Sequence, residues 1–168
     1  MLQTLSYFPM LFLNLILVGA WHMTFLTLCQ KRPDHSYRPT ARLYRPHAWE
    51  REGRWYRDHL NINAWKDRLP QFIAKDGGFS KGHLRSLSPA YLDRFVRETC
   101  RWEWMHTCNA FCMVPILLLN APLVGVTLSA FVFLGNVPFV MIQRYNRFRL
   151  QALQRHLRAG QKNAVCQE

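Results

Sequence analysis

The residues of this chain whose types suit proton transfer or anion binding lie on the two sides of one uncharged block. These residues are Glu98, Arg101, Glu103, His106, Arg144, Asn146 and Arg147. Histidine titrates near neutral pH and is the usual general base. Arginines beside apolar surface require carboxylate or phosphate partners. The pattern therefore indicates either a site for proton transfer beside an anionic substrate or an ion-pair network that fixes the ends of the block.

Within this set, Glu103 and His106 are the candidates for acid–base chemistry. They are three residues apart, so on a helix they share a face. A carboxylate in that position, Glu103 or the more distant Glu98, is placed to orient the imidazole as the acid of a catalytic triad does.

The uncharged block spans residues 105–143 and contains no Asp, Glu, Lys or Arg. A membrane helix needs roughly 20 apolar residues, so the block has about the length of two. We predict a helical hairpin whose arms are Met105 to Leu119 and Leu123 to Ile142, joined by a turn at Asn120-Ala121-Pro122. A hairpin returns both of its ends to one face of the membrane, which would bring the flanking charged residues together.

Convergence of these ends predicts specific contacts. Arg144 and Arg147 are expected to contact Glu98 or Glu103 at the base of the hairpin. The helix that enters the hairpin is expected to begin at Ser88-Pro89, because serine is a good N-cap and proline suits the first helical position.

The charge distribution predicts how the rest of the chain is placed. Residues 1–30 carry no charged side chain, residues 31–104 hold 16 of the 22 Lys and Arg, and residues 144–168 hold the other six. The apolar run Leu5 to Cys29 is long enough to span a bilayer, and no Lys or Arg precedes it as a cleaved signal would require. By the positive-inside rule, the start of the chain faces out and the basic segments face the cytoplasm.

We therefore predict an all-α protein of the bacterial cytoplasmic membrane, with one domain. Its four parts are a transmembrane helix or uncleaved signal anchor (1–30), a basic cytoplasmic segment (31–104), a transmembrane hairpin (105–143) and a basic cytoplasmic tail (144–168).

Metal and nucleic-acid chemistry are not indicated. The five cysteines form no Cys-x-x-Cys pair, and zinc sites usually show such spacing. Glu103-x-x-His106 occurs once, whereas a di-iron bundle needs two copies and further glutamates. The basic and aromatic middle of the chain would suit nucleic acid, but membrane spans on both flanks favour a lipid headgroup layer.

A further motif is Trp65-Lys66-Asp67-Arg68-Leu69-Pro70. Lys66 and Asp67 are adjacent, so on a helix they would point to different sides. They are then either two solvated charges beside a buried Trp65 or part of a substrate site.

Taken in order, three motifs resemble those of the glycosyl-diaponeurosporenoate acyltransferases. They are the Trp65 to Pro70 motif, Glu98-Thr99-x-Arg101-x-Glu103-x-x-His106, and Asn136-Val137-Pro138 followed by Gln143-Arg144-Tyr145-Asn146-Arg147-x-Arg149-Leu150. The resemblance covers about residues 30 to 158. Members of that family esterify a sugar hydroxyl of a glycosylated carotenoid with a fatty acyl chain at the bacterial cytoplasmic membrane.

The resemblance implies a membrane acyltransferase that acts on a glycosylated carotenoid or another lipid-linked sugar. It implies acyl-CoA or another activated acyl donor as co-substrate, with no metal and no bound cofactor, and membrane lipids, the acceptor and the donor as partners. His106 is then the general base and Glu103 its orienting acid. The substrate-binding residues are Glu98, Arg101, Arg144, Asn146, Arg147, Trp65, Lys66 and Asp67.

The alternative interpretation is a non-catalytic membrane scaffold that binds anionic lipid or a partner enzyme. The chain has no His-x-x-x-x-Asp acyltransferase motif and no Gly-x-Ser-x-Gly motif. The enzyme interpretation therefore depends on His106, its neighbours and the resemblance. An interfacial pocket exposing His106 is expected only of the enzyme.

Overall fold

A computed structural model describes residues 7–69, 84 and 86–165 of the chain. Pro70 of the Trp65 motif lies outside them. Within these residues the chain is helical, with no strand, which confirms the all-α prediction. The α-helices are α1 (Tyr7–Lys31), α2 (Arg54–Leu60), α3 (Ile62–Trp65), α4 (Pro89–Ala110), α5 (Met113–Leu119) and α6 (Pro122–Val165). Short 3-10 helices span Asp34–Ser36, Arg42–Tyr44 and Ala48–Gly53.

These helices form two compact units, each built from two separate stretches of the chain. The first unit comprises Met1–Ser36 and Arg101–Val140, and the second comprises Tyr37–Cys100 and Met141–Glu168. Because each unit is discontinuous in sequence, no single cut would separate two domains. The prediction of one domain stays a prediction.

In the first unit, α1 is joined to the hairpin by polar contacts between apolar helices. Asn14 and Asn120 exchange two hydrogen bonds, of 2.8 and 2.9 Å, between their side-chain amides. The Trp21 indole N–H donates to the Cys108 carbonyl at 3.0 Å. Because apolar solvent cannot satisfy an amide, this paired arrangement is the stable way to bury both asparagines.

The hairpin turn lies where the sequence predicts it. Helix α5 ends at Leu119 and α6 begins at Pro122. A Cβ added at Gly125 would lie 3.2 Å from the Leu117 carbonyl oxygen, so the absence of a side chain allows the two helices to approach closely there. The predicted turn is confirmed.

The first arm of the hairpin differs from the prediction because it is not one continuous helix. Helix α4 ends at Ala110, a turn occupies residues 111–112, and α5 starts at Met113. Pro115 explains the break, since proline has no N–H for the Phe111 carbonyl and its ring would clash with it in a continuous helix. The restart at Met113 places Pro115 in the first turn of α5, where proline is tolerated.

Helix α6 continues through Pro138, which lies inside it. The Asn136 side-chain N–H donates to the Val132 carbonyl at 2.9 Å. The carbonyl that a proline at position 138 leaves without its usual donor belongs to Leu134. The Asn136 side chain therefore does not bond to the carbonyl that Pro138 leaves free. Its oxygen contacts His106, as described below.

Two helices are long and apolar enough to cross a membrane by length and composition, Phe8–Lys31 and Pro122–Asn163. Both expose large apolar side chains, with Phe8 87%, Leu123 81% and Phe131 73% exposed. A helix in the core of a soluble protein would bury such side chains, whereas a membrane helix presents them to lipid.

The second unit has two apolar clusters on the last part of α6. Ile142, Tyr145 and Phe148 pack with Tyr56 of α2 and with Ile62 of α3. Leu150 packs with three residues of α4, which are Leu92, Phe95 and Val96. The predicted start of α4 is confirmed, because it begins at Pro89 and the Ser88 hydroxyl accepts a hydrogen bond from the Tyr91 N–H at 3.3 Å.

The asparagine pair of the first unit generates a prediction. Asn14→Ala should destabilise the protein by roughly 1–2 kcal/mol, the scale of hydrogen bonds between membrane helices. The measurement is the midpoint of thermal unfolding in detergent. Thr24→Ala is the matched control, because the Thr24 hydroxyl bonds only to the Ala20 carbonyl of its own helix among the contacts described. Equal effects of the two substitutions would contradict the conclusion that the asparagine pair stabilises the packing of α1 on the hairpin.

Candidate functional site

Among the described residues of the second unit, the most enclosed charged group is the carboxylate of Glu50, which is 0% exposed. Its Oε1 accepts hydrogen bonds from Arg144 Nε at 2.6 Å and from the Tyr56 hydroxyl at 2.5 Å. Its Oε2 accepts from Arg144 Nη2 at 2.7 Å and from the His47 backbone N–H at 2.6 Å. Four donors thus compensate the cost of burying the charge.

Arg144 is held by further contacts in the same unit. Its Nη1 donates to the Leu43 carbonyl at 3.2 Å, and its Nη2 donates to the Arg45 carbonyl at 2.9 Å. A planar guanidinium is suited to such a bidentate contact with Glu50 and to backbone oxygens beyond it. Arg144 therefore has a structural role, because its hydrogen bonds hold the segment from Leu43 to Glu50 against α6.

The pKa values of the two acidic groups follow from these contacts. Burial by itself raises the pKa of the Glu50 carboxyl, but the bonds from Arg144, His47 and Tyr56 outweigh it, so that the pKa is lowered. Burial and the bond to Glu50 strongly raise the pKa of the Tyr56 hydroxyl. Glu50 is thus held ionised and Tyr56 is held neutral as the donor.

Arg147 is buried in the second unit, with 2% of the residue exposed. Its Nη1 donates to the Cys100 sulfur at 3.7 Å, and its Nη2 donates to the Tyr44 carbonyl at 3.4 Å. The guanidinium carbon also lies 5.5 Å from the centre of the Tyr44 ring, a cation–π contact. Arg147 therefore joins α6, α4 and the Arg42–Tyr44 turn.

A cavity of about 480 Å³ opens in the second unit, within the roughly 300–1,000 Å³ range of small-molecule sites. Three of the predicted substrate-binding residues, Lys66, Asp67 and Asn146, lie on its wall. Among the residues that the structure describes, the lining is Lys66, Asp67, Leu84, Phe95, Asn146, Arg149, Leu150 and Leu153. We call this space the α6 cavity.

The sequence suggested that Lys66 and Asp67 point to different sides of a helix. The structure shows instead that their side chains contact each other. The Lys66 ammonium donates to both carboxylate oxygens of Asp67, at 2.6 and 2.7 Å. The reason is that α3 ends at Trp65 and residues 66–68 form a turn, so helical geometry does not apply to the pair. The Lys66 side chain is 8% exposed and that of Asp67 is 55% exposed. The solvated-charge interpretation is therefore wrong for Lys66.

Trp65 holds this turn in place. Its indole N–H donates to the Leu60 carbonyl at 2.9 Å, and its ring packs against the cluster that contains Tyr56 and Ile62. Trp65 therefore positions Lys66 and Asp67, and it is not among the cavity-lining residues.

His106 lies in the first unit, on α4. Its Nδ1 is 3.2 Å from Asn136 Oδ1, and its ring stacks on Phe139 with 4.6 Å between centroids. Because the Asn136 amide nitrogen donates to the Val132 carbonyl, its oxygen faces the imidazole and accepts. Nδ1 must then carry the proton, which leaves the lone pair on Nε2. The sequence pointed to a carboxylate as the orienting group, whereas this contact is made by an amide.

The other predicted residues are divided between the units. Arg101 and Glu103 lie in the first unit with His106, and Glu98 lies on α4 in the second. Arg101 pairs with Asp34, and Glu103 is buried with 2% of the residue exposed. The predicted convergence of all these groups at one site stays a prediction.

Sequence reasoning did not propose Glu50 or Tyr56 as site residues, and it quoted Arg149 in a motif without giving it a role. No spacing rule links Glu50 to Arg144, 94 positions later. The sequence could have placed Arg149 beside Asn146, because Asn146, Arg149, Leu150 and Leu153 have the i, i+3, i+4, i+7 spacing of one helix face. Among the residues that the structure describes, no group of three or more His, Cys, Asp or Glu is arranged to hold a metal ion.

Comparison with known proteins decides the family. A sequence model of glycosyl-4,4'-diaponeurosporenoate acyltransferase matches residues 40–156 of this chain. The chain belongs to the glycosyl-4,4'-diaponeurosporenoate acyltransferase family. Relatives of that name from Staphylococcus aureus strains N315 and USA300 are each 25% identical over 135 residues, which is 78% of this chain and 80% of the relative. No solved structure matches the chain.

The family assignment confirms the resemblance seen in the sequence, and the protein is an acyltransferase associated with a membrane. The matched range includes Glu50, Arg144, the α6 cavity and His106. It starts beyond α1, which therefore lies outside what the family model matches.

The Glu50 contacts generate a prediction about pH. The folded pKa of Glu50 is lowered from an ordinary value of 4.5. The stabilisation is therefore present above pH 4.5 and is lost as the pH falls through the lower, folded value. Thermal unfolding of the acyltransferase should show its midpoint falling across that acidic range.

Glu50→Gln should remove the pH dependence that Glu50 supplies and should lower stability by roughly 3–5 kcal/mol at neutral pH, because Arg144 loses its buried counter-charge. Glu52→Gln is the matched control, since its side chain is 74% exposed and its ion pair with Arg155 is on the surface. An effect of Glu50→Gln no larger than that of the control would contradict the structural role.

Proposed function

We propose that this acyltransferase moves a fatty acyl group from acyl-CoA, or another activated donor, to a hydroxyl of a glycosylated carotenoid or another lipid-linked sugar. The observation that carries the proposal is the family match over residues 40–156, together with relatives whose name specifies a glycosylated acceptor. The two helices long and apolar enough to cross a membrane would place the protein in the lipid bilayer, where a lipid-linked acceptor is found. Membership of an enzyme family favours this function over the non-catalytic scaffold.

The proposal places the protein in the bacterial cytoplasmic membrane with three membrane segments: α1, residues 105–119 and residues 123–142. The start of the chain then faces out, and residues 31–104 and 144–168 face the cytoplasm, because these two stretches carry all 22 Lys and Arg. A cytosolic thioester donor would reach the protein from that side.

In the proposed reaction, the acceptor hydroxyl oxygen attacks the thioester carbonyl carbon. His106 Nε2 takes the hydroxyl proton, the carbonyl oxygen becomes an oxyanion, and collapse of the tetrahedral intermediate expels the thiolate, which the imidazolium reprotonates. Asn136 supports this role, because its bond to Nδ1 fixes the neutral tautomer in which Nε2 carries the lone pair.

Glu103 is the proposed second catalytic residue. It precedes His106 by one turn of α4 and is buried, so its carboxylate would stabilise the positive charge that develops on the imidazole. In the second unit, Lys66, Asp67 and Asn146 are proposed to bind substrate at the α6 cavity. Arg144 and Trp65 are proposed to position this site. Glu98, Arg101 and Arg147 remain proposed substrate-binding residues on the family pattern.

Comparison of the lipids of cells with and without the protein tests this function. Loss of one acylated glycolipid, with accumulation of its deacylated form, is the expected result. An unchanged set of lipids would contradict the proposed function and would return the scaffold to consideration.

The general-base role predicts the effect of one substitution. His106→Gln should lower the rate of acyl transfer by roughly 100-fold or more while the protein still inserts and folds, because glutamine cannot accept the proton at neutral pH. The rate should be measured per inserted molecule, since a folding defect would lower the yield instead.

The control for that experiment is His22→Gln. His22 also lies on a membrane helix of the first unit, and its Nδ1 is 2.9 Å from the Val18 carbonyl of the same helix. This variant should transfer at the wild-type rate. Turnover near wild type in His106→Gln would rule out its role as the base.

The proposed topology predicts a labelling pattern. In a protein with its native cysteines replaced, Ala121→Cys at the hairpin turn should react with a membrane-impermeant maleimide added to intact cells. Ala48→Cys, at an exposed position of the basic segment, should react only after the membrane is permeabilised. Labelling of both positions in intact cells would contradict three segments with a cytoplasmic basic segment.

A further inference from the structure

One side of α1 leads from a charged residue at the end of the helix into its apolar span. Trp21, Phe25, Leu28 and Arg32 are spaced i, i+4, i+7, i+11, which places them along one side of the helix. Arg32 continues the last helical turn, because its backbone N–H bonds to the Leu28 carbonyl at 3.0 Å. We call these four residues the α1 stripe. At 1.5 Å per residue the stripe is about 16 Å long, close to half of the roughly 30 Å hydrocarbon core of a bilayer.

The α1 stripe is an ordered apolar surface at the seam with α4. The ring centres of Trp21 and Phe25 are 5.2 Å apart, and those of Phe25 and Trp104 are 5.9 Å apart. The bond from the Trp21 indole to the Cys108 carbonyl fixes the inner end of the row. All three rings are partly exposed and Leu28 is 48% exposed, so an acyl chain of a lipid can lie against them.

The charged end of the stripe is held by the same row of rings. The guanidinium carbon of Arg32 lies 5.3 Å from the centre of the Trp104 ring, a cation–π contact. This contact restrains the cation where the apolar span ends, which is the level of the headgroups in a bilayer. A guanidinium has five N–H donors, so an arginine with other contacts can also bind a phosphate.

We infer that the α1 stripe binds an anionic phospholipid, whose phosphate bonds to Arg32 while one acyl chain lies along Leu28, Phe25 and Trp21. The match between the length of the stripe and one leaflet supports this ligand. The inference goes beyond the proposed function, and most of the site lies on α1, outside the range that the family model matches.

The charges around Arg32 favour an anionic lipid over a zwitterionic one. Lys31 precedes it and adds a second positive charge. The carboxylate of Asp34 pairs with Arg101, so its charge is offset. Glu103 is buried and is the residue before Trp104, which places it on another side of α4. The positive charge that remains at the end of α1 attracts anionic headgroups and repels the cationic group of a zwitterionic headgroup.

The position of the stripe distinguishes a bound lipid from a reacting substrate. Trp104 contacts Phe25 and Arg32 on the side of α4 that faces α1. His106 follows Trp104 by two residues, which is roughly 200° around the helix, and contacts Asn136 of α6. A phosphate at Arg32 therefore lies on the side of α4 away from the proposed base. A lipid that does not react fits this placement, whereas the acyl donor does not.

Native mass spectrometry of the purified protein in detergent tests the inference by counting the lipids retained. The probes are dioleoyl-phosphatidylglycerol and dioleoyl-phosphatidylcholine, which share their acyl chains and differ in headgroup charge. The wild type should retain one phosphatidylglycerol and bind it more tightly than phosphatidylcholine. Arg32→Gln should weaken phosphatidylglycerol binding about tenfold, the scale of a hydrogen bond to a charged group.

Arg38→Gln is the matched control. It also removes one exposed arginine, but position 38 lies in the second unit and outside the stripe. This variant should bind phosphatidylglycerol as the wild type does. Leu28→Asn provides a second test that leaves Arg32 in place. It should weaken binding of both lipids, because both use the same apolar surface, so a folding defect in Arg32→Gln would not decide the result.

Equal phosphatidylglycerol affinity in the wild type, Arg32→Gln and Leu28→Asn would overturn the inference. Equal affinity of the wild type for the two lipids would also overturn it, since the site would then not select an anion. Glycerol 3-phosphate and coenzyme A are the competitors that lack a lipid chain. Displacement of phosphatidylglycerol by either one would reassign Arg32 to a soluble phosphate ligand and would contradict a lipid site.

Discussion

The buried ion pair between Glu50 and Arg144 is the contact on which the second unit depends. It joins two positions 94 residues apart in the sequence and satisfies every oxygen lone pair it buries with four short bonds. Arg144 adds bonds to the carbonyls of Leu43 and Arg45, so the pair also fixes a stretch of chain that has no long helix. The segment before α2 also buries Tyr37 and Tyr44, whose apolar contacts add to those of the ion pair.

A backbone turn of unfavourable conformation follows Glu50 directly in the sequence. Arg51 and Glu52 have positive φ values of 48° and 55°, each costing roughly 1–2 kcal/mol in a residue with a side chain. Gly53 follows at φ 90°, where an added Cβ would lie 3.2 Å from Phe148. This left-handed turn directs the chain into α2 and α3, whose packing on α6 places the Lys66–Asp67 turn at the cavity.

The features predicted correctly from the sequence are those set by local composition and spacing. The contacts between residues far apart in the sequence were not predicted. Uncharged length predicted the hairpin, and the Ser88-Pro89 pair predicted the start of α4, because both signals are local. Pro115, which breaks the first arm, is also a local signal. The prediction overlooked it because the residues around it are uniformly apolar. The partner of Arg144 was not readable, since only the folded chain brings residue 50 to residue 144. The amide partner of His106 was missed for the same reason, although Asn136 lies in a motif that the family resemblance had marked.

The proposed base His106 lies in the first unit and the α6 cavity lies in the second. The function that we propose for the protein is acyl transfer onto a sugar. The most direct test is the stoichiometry of the purified protein acting on acyl-CoA and a glycosylated carotenoid. Mass spectrometry of the lipid and a thiol assay of the same reaction should find one sugar ester formed for each coenzyme A thiol released. Thiol release without ester would show hydrolysis in place of transfer, and an ester elsewhere than on the sugar would contradict the assigned acceptor.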